Sequence, residues 1–250
     1  MRKFITLITA MAISIASFAQ TNLQIQYDLG ADRQCVTTTV EGFYSDNWGN
    51  TFFFIDHDFP TSTDLGANKA QSGTYCEIAR CLNFWQNTKL GGLSAQVEYN
   101  GGVYSAYNIN HAFLFGVDYF LHTNDFNNTF NVKVLYKYIM YTDPDTRSNI
   151  PLQFTFVWTC RDLFGAKGLT FSGFADAWWE EHMLYSGHGG PITPEASSFV
   201  FLSEPQLWYN VGQWFGCNNL NIGGEVELSY DFGSTKGFWV RPALGVKWVF

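Results

Sequence analysis

From Phe238 to Phe250 the chain alternates without a break. The even positions read Phe238, Val240, Pro242, Leu244, Val246, Trp248 and Phe250, and the odd ones Trp239, Arg241, Ala243, Gly245, Lys247 and Val249. Successive side chains of a strand point to opposite faces, so this segment is a strand with one apolar face and one face that carries the charge. Asn219–Asp231 repeats the design, with Leu220, Ile222, Val226, Leu228 and Tyr230 opposite Asn221, Glu225, Glu227, Ser229 and Asp231. Both segments are long enough to cross a bilayer as tilted strands. In a soluble sandwich the apolar face would be the core. In a barrel in lipid it is the exterior, and the acids line the lumen.

Composition favours the second arrangement. Charged residues are only 14% of the chain, against about a quarter in ordinary soluble domains. Aromatics reach 18%, which excludes disorder. A mean hydropathy of −0.08 is too low for a bundle of membrane helices. Alternating strands reconcile these figures.

Met1-Arg2-Lys3 is a basic start, Phe4–Ser17 an apolar run and Ala16-Ser17-Phe18-Ala19 a small-residue cleavage site. Residues 1–19 are therefore expected to be a cleaved signal peptide, and residues 20–250 one outer-membrane β-barrel domain. The formal net charge is −8, and cleavage makes the mature chain more acidic, so no nucleic-acid partner is expected.

Ten further strand segments complete a set of twelve: Asn22–Leu29, Gln34–Tyr44, Thr51–Asp58, Thr74–Trp85, Leu93–Asn100, Ile109–Leu121, Thr129–Tyr141, Leu152–Arg161, Leu169–Glu180 and Phe199–Val211. The expectation is an all-β, 12-stranded antiparallel transmembrane β-barrel. With both termini periplasmic, the longest linkers, Phe59–Gly73 and Met183–Ser197, fall on the extracellular side, as bacterial barrels require. Pro151, Pro205 and Pro242 are expected at strand starts or bulges, since a closed barrel has no free edge. Arg80 shares parity with Ile78 and Leu82, which predicts a bulge in the fourth strand.

The five cysteines show no C-x-x-C spacing, and Cys76 and Cys81 fall on opposite faces, so they read as small strand residues. Asp56-His57-Asp58 and Glu180-Glu181-His182 do not form a metal site, because alternation separates the histidine or the middle glutamate from its neighbours. No G-x-S-x-G, H-E-x-x-H or phosphate loop is present. Neither an enzyme nor a cofactor is expected.

Parity assigns the lumen. The solute-binding candidates are Glu41, Phe52, Phe54, Asp56, Asp176, Trp178, Glu180, Glu204, Trp208, Glu225, Glu227, Trp239 and Arg241. Inward acids repel anions and tolerate neutral or cationic solutes. Inward aromatics stack on a base or sugar ring, or else fill a narrow barrel. Glu225, Glu227 and Asp231 are also candidates for wall-holding pairs with Lys133, Lys137, Arg161 or Arg241.

Thr37-Thr38-Thr39-Val40-Glu41, the run Asp46–Asp56 (DNWGNTFFFID), Phe201–Asn210 (FLSEPQLWYN) and the ending Lys247-Trp248-Val249-Phe250 resemble a Gram-negative outer-membrane family of unknown function. That family is similar to the Tsx-type nucleoside-specific channels. The resemblance covers the mature chain and implies an outer-membrane location in a lipid environment and a narrow channel for nucleosides or similar small-molecule solutes. It also implies that Trp248 and Phe250 form the signal read by the barrel-assembly machinery. Two other functions fit the same pattern. One is a structural or adhesive barrel with a plugged lumen and functional loops around Thr61–Gly73 and Gly187–Ser197. The other is a secreted soluble β-barrel that binds a small molecule.

Overall fold

The computed structural model describes residues 19–30, 33–60, 72–105, 108–143 and 145–250; residues 1–18 of the expected signal peptide and most of the Thr61–Gly73 loop lie outside them. Nine strands follow one another as antiparallel neighbours: β1 (Ala19–Asp28), β2 (Cys35–Asp46), β3 (Gly49–Pro60), β4 (Gly73–Leu82), β5 (Leu93–Tyr104), β6 (Asn108–His122), β7 (Asn128–Ile139), β8 (Leu152–Arg161) and β9 (Leu169–Trp178). A hairpin, β10 (His182–Gly187) with β11 (Gly190–Ser197), stands apart as its own two-stranded sheet. The wall resumes with β12 (Val200–Ser203), β13 (Gln206–Asn210), β14 (Leu220–Tyr230) and β15 (Phe238–Val249). β15 then pairs with β1, Leu23 opposite Trp248 and Gln26 opposite Gly245, and the sheet closes. β12 and β13 both lie between β9 and β14 and are two halves of one stave, so the barrel has twelve staves.

Two of the prolines show how that closure is kept. Pro205 breaks the tenth stave, which the periodicity reads as one strand over Phe199–Val211. Glu204 N donates to Phe174 O at 3.1 Å and Val226 N to Pro205 O at 3.0 Å, so the ladder steps across the proline. Facing the step is Gly173 at φ +152, where a Cβ would lie 2.4 Å from Glu204 O. Only glycine fits that approach. Pro242 sits within β15 where the β1 ladder is ending: its carbonyl accepts from Leu29 N at 2.8 Å, just past the last Asp28–Ala243 pair. Pro151 precedes β8, as expected of a strand start.

The bulge predicted in the fourth strand is absent: β4 keeps unbroken register with β3 and β5. Arg80 does face outward with Ile78. It lies near the Leu82 end of β4, where it pairs with Asp46 at 2.9 Å and donates to Thr51 Oγ1 at 3.2 Å. A long basic side chain reaching the interface resolves the parity conflict without an extra residue. The register shift of this region lies instead between Asn100 and Gly102 of β5.

The two faces of the wall are inverted relative to a soluble protein. Val97, Phe115, Val134, Phe154, Leu207 and Leu244, from six different strands, are 40–62% exposed on the outside. Among the described residues, sixteen polar or charged side chains are buried against thirteen apolar ones. An apolar exterior around a polar interior is a membrane barrel, and it excludes the soluble binder. The β6–β7 wall is the exception inside, where Ala112, Leu114, Leu135 and Ile139 pack together on the lumen face.

Candidate functional site

The site grows out of the inward parity of each strand, because alternate residues of neighbouring staves meet on one face. Along β1, Gln26 Nε2 donates to Gln24 Oε1, Gln24 Nε2 to Asn22 Oδ1, and Asn22 Nδ2 to Glu41 Oε1, at 3.0, 3.0 and 2.8 Å. Above this amide ladder Arg33 bridges Asp28 and Glu227, and Glu227 also receives Arg241 Nη1 and Ser229 Oγ. Of the wall-holding pairs considered for the acids, Glu227 with Arg241 forms. Asp231 instead accepts from Ser197 Oγ at 2.8 Å and Gly237 N at 2.7 Å and closes the β14–β15 loop, and Arg161 donates to Phe126 O.

On the next staves Thr37 and Thr39 hold Asp58 and Asp56. His57, on the outer face, meets Thr74 Oγ1 at 2.7 Å, so it is turned away from both aspartates. The far wall repeats the logic. Gln96 donates to Glu98 at 2.7 Å, Asn131 to both oxygens of Asp118, and Lys137 Nζ to Gln153 Oε1 at 2.9 Å. Asp176 lies near Glu98, Lys133 and Lys137, and its Oδ1 is buried without a hydrogen-bond partner.

The candidate residues divide by accessibility. Trp178, Trp208, Glu227 and Arg241 are buried parts of the wall. Trp208, 1% exposed, donates to Gln206 Oε1 at 2.8 Å and carries Lys247 Nζ 4.3 Å above its ring; Trp178 donates to Glu180 Oε2 at 2.8 Å beneath Lys137 at 4.1 Å. Their ring faces are occupied by cations. Glu41, Phe52, Phe54, Asp56, Asp176, Glu204 and Glu225 are half-buried on the inner face. Phe52 and Phe54 stand 6.0 Å apart, and Phe54 is 5.7 Å from Tyr75. Glu204 lies near Glu225, Glu227 and Asp56. Glu180 sits just past the end of β9, and Trp239 is at the start of β15, donating to Lys236 O. At the other end of β15, Trp248 faces outward and Phe250 N donates to Thr21 O beside the β1 seam.

Parity reasoning missed three groups. Tyr75 and Glu77 face inward on β4, the strand whose faces Arg80 obscured. Their shared parity with Ala79 and Cys81, opposite the apolar Cys76, Ile78 and Leu82, was the available signal. Arg33 lies in a loop, where alternation says nothing.

The arrangement presents many acceptors and few donors: carboxylates outnumber cations on the inner face. Among the described residues, no group of three His, Cys, Asp or Glu side chains is placed to hold a metal ion. The five cysteines are free thiols.

No curated protein matches the chain. Among solved structures it is similar to the KdgM porin, at 10% identity over 92% of this chain and 99% of that one, with a TM-score of 0.46. It is also similar to OccK10 (OpdN) of Pseudomonas aeruginosa, at 11% identity over 93% of this chain and 98% of that one, TM-score 0.38. A third is the outer-membrane protein OpdK of the same organism, at 8% identity over 93% and 98%, TM-score 0.37. Residues 19–250 match the family model described as a domain of unknown function, DUF5020, and the chain belongs to that family.

Proposed function

We propose that this barrel is an outer-membrane channel for small neutral or cationic solutes, nucleosides foremost. The observation that carries the reading is the inner face of the wall, on which the half-buried rings of Phe52 and Phe54 stand with Glu41, Asp56, Glu204 and Glu225. A flat heterocycle stacks on such rings. Carboxylates beside them accept from ribose hydroxyls and base N–H groups, and they repel a phosphate. Sites of this kind bind weakly enough to release, which conduction requires.

On this reading the partners are the lipid around the apolar exterior, the small-molecule solute inside, and the barrel-assembly machinery, to which Trp248 and Phe250 are presented. It assigns no catalytic residue, cofactor or nucleic acid.

The plugged structural or adhesive barrel remains the second reading, favoured by one observation. Leu114 and Leu135 are fully buried on the lumen face, so that side of the interior is filled. Liposome swelling separates the two. Proteoliposomes should swell in nucleosides faster than in nucleoside monophosphates of similar size. Equal rates for the two solutes would remove the acidic filter, and no swelling with any solute would leave the plugged barrel.

A further inference from the structure

The β10–β11 hairpin is bound to the β14–β15 loop along its length. Tyr185 N donates to Ser234 O at 2.9 Å, Lys236 N to Ser186 O at 2.7 Å, and Ser186 Oγ to Thr235 Oγ1 at 3.3 Å. Lys236 also pairs with Glu195, and Ser197 Oγ donates to Asp231. At the tip, His188 stacks on Trp239 with 4.0 Å between centroids and 11° between planes, and meets Phe238 O at 2.8 Å. Trp239 shares the inward parity of Arg241, so the tip touches the lumen side of the wall. The other neighbour of that ring is the Arg241 guanidinium, 4.8 Å from its centre, and Arg241 is the buried partner of Glu227. The hairpin tip and the lumen wall are thus in continuous contact.

At the root of the hairpin stands His182. Its Nδ1 lies 2.8 Å from Glu180 O and its Nε2 2.7 Å from Asp231 O, so one ring joins the exit of β9 to the exit of β14. Both partners are carbonyl oxygens, which only accept. A neutral imidazole carries one N–H and would turn a lone pair against the second carbonyl; the imidazolium donates to both. His188, with a single carbonyl contact, is satisfied by a neutral tautomer.

We infer that protonated His182 is a latch that holds the β10–β11 hairpin over the extracellular mouth, and that loss of its proton frees the hairpin, so the mouth is closed in acid and opens as the pH rises. The consequence for solute flow rests on the channel reading above, but the latch itself does not.

The charged and titratable groups around His182 are each held by another partner. From the β9 exit come the carboxylates of Glu180, held by Trp178 Nε1, and Glu181, held by Asn149 Nδ2 at 3.0 Å, with the Tyr141 hydroxyl accepting from Glu181 N. From the β14 exit comes Asp231, held by Ser197 and Gly237 N. β11 contributes Glu195, which is taken up by Lys236 of the loop. Histidine is the side chain whose charge ordinarily changes between about pH 5 and 8.

The test is amide hydrogen exchange of the refolded barrel in detergent micelles at pH 5.5 and pH 8, corrected for intrinsic exchange, alongside single-channel recording at the same pH values. In the native protein, protection of the Tyr185 and Lys236 amides should fall roughly 10- to 100-fold from pH 5.5 to pH 8, the equivalent of one charge-assisted hydrogen bond, while the open fraction rises. His182→Gln has one donating nitrogen, and it should show low protection and a high open fraction at both values. His188→Gln should keep the pH dependence. Protection that is unchanged with pH in the native protein, or pH dependence that survives in His182→Gln, or pH dependence that is lost in His188→Gln, overturns the latch. If protection shifts as expected but no current flows at any pH, the latch stands and the channel reading falls.

Discussion

Truncating Glu227 should cost far more stability than truncating its partner Arg241, and the asymmetry can be worked out from the contacts. Glu227 is 3% exposed and accepts from two guanidiniums, Arg241 Nη1 and Arg33 Nη2, the latter at 2.9 Å, as well as from Ser229 Oγ at 2.7 Å. At about 4 Å and an effective dielectric near 20, one such pair attracts by roughly 4 kcal/mol before desolvation is charged against it. Glu227→Ala removes the anion that both arginines share, Arg241 being 5% exposed, and should destabilise the barrel by about 3–5 kcal/mol, the range for breaking a buried pair from one side. Arg241→Ala leaves Glu227 with Arg33 and Ser229, so its cost should be about 1–3 kcal/mol, that of a lost charged hydrogen bond. In the double variant the carboxylate and one of its guanidiniums leave together, and Arg33 retains Asp28. A coupling energy of about 2 kcal/mol is then expected, well above the 0.3–0.5 kcal/mol scatter of independent sites. Urea unfolding in lipid vesicles, followed by tryptophan fluorescence and by heat-modifiable gel mobility, measures all three variants. Equal costs for the two single variants, or a coupling inside that scatter, would refute the account of Glu227 as the shared anion of two cations.

Three other outcomes follow from the same geometry. Phe54→Ala should weaken the block of ion current by nucleosides with little effect on stability, whereas Trp208→Ala should cost about 3–5 kcal/mol of stability, as for other buried tryptophans; the reverse pattern in current block and urea titration would exchange their roles. Gly173→Ala should slow assembly and destabilise the barrel by more than about 2 kcal/mol, because the new methyl meets Glu204 O at 2.4 Å in a backbone conformation that suits only glycine; the heat-modifiable gel shift reads it, and a native shift at native urea midpoint would contradict the tight step at Pro205. Leu244→Lys, on the lipid face, should cost about 2–4 kcal/mol in vesicles if it lies near the bilayer midplane; a cost below about 0.5 kcal/mol would place Leu244 outside the hydrocarbon.

Much of this architecture is legible in alternation because lipid and lumen impose opposite demands on neighbouring residues. All twelve staves coincide with period-two segments, to within a few residues at their ends. Legibility fails where a residue answers to something other than its stave. Arg80 breaks the outward apolar pattern because it reaches past the hydrocarbon edge to Asp46, and its parity hid Glu77 and Tyr75 from view. The linker Met183–Ser197 contains no wall strand and still folds, since β10 and β11 pair with each other and lean on the next loop. The tenth stave reads as continuous because a sequence does not reveal that Gly173, on the neighbouring stave, leaves room for the step at Glu204 and Pro205.

The candidate site shows the same division. Which residues face inward is a local property, set by the two-residue period of the chain, and the sequence by itself determines it, along with the acidic sign of the interior and the apolar belt outside. What those inward residues do depends on closure, which brings β15 against β1 and strands far apart in the chain across a narrow lumen. Trp208 and Phe54 are equivalent in the sequence, both aromatic and both inward. Only the tertiary structure buries one beneath Lys247 and leaves the other half-buried, because a ring's neighbours across the barrel come from staves whose distance in sequence carries no information about their distance in space.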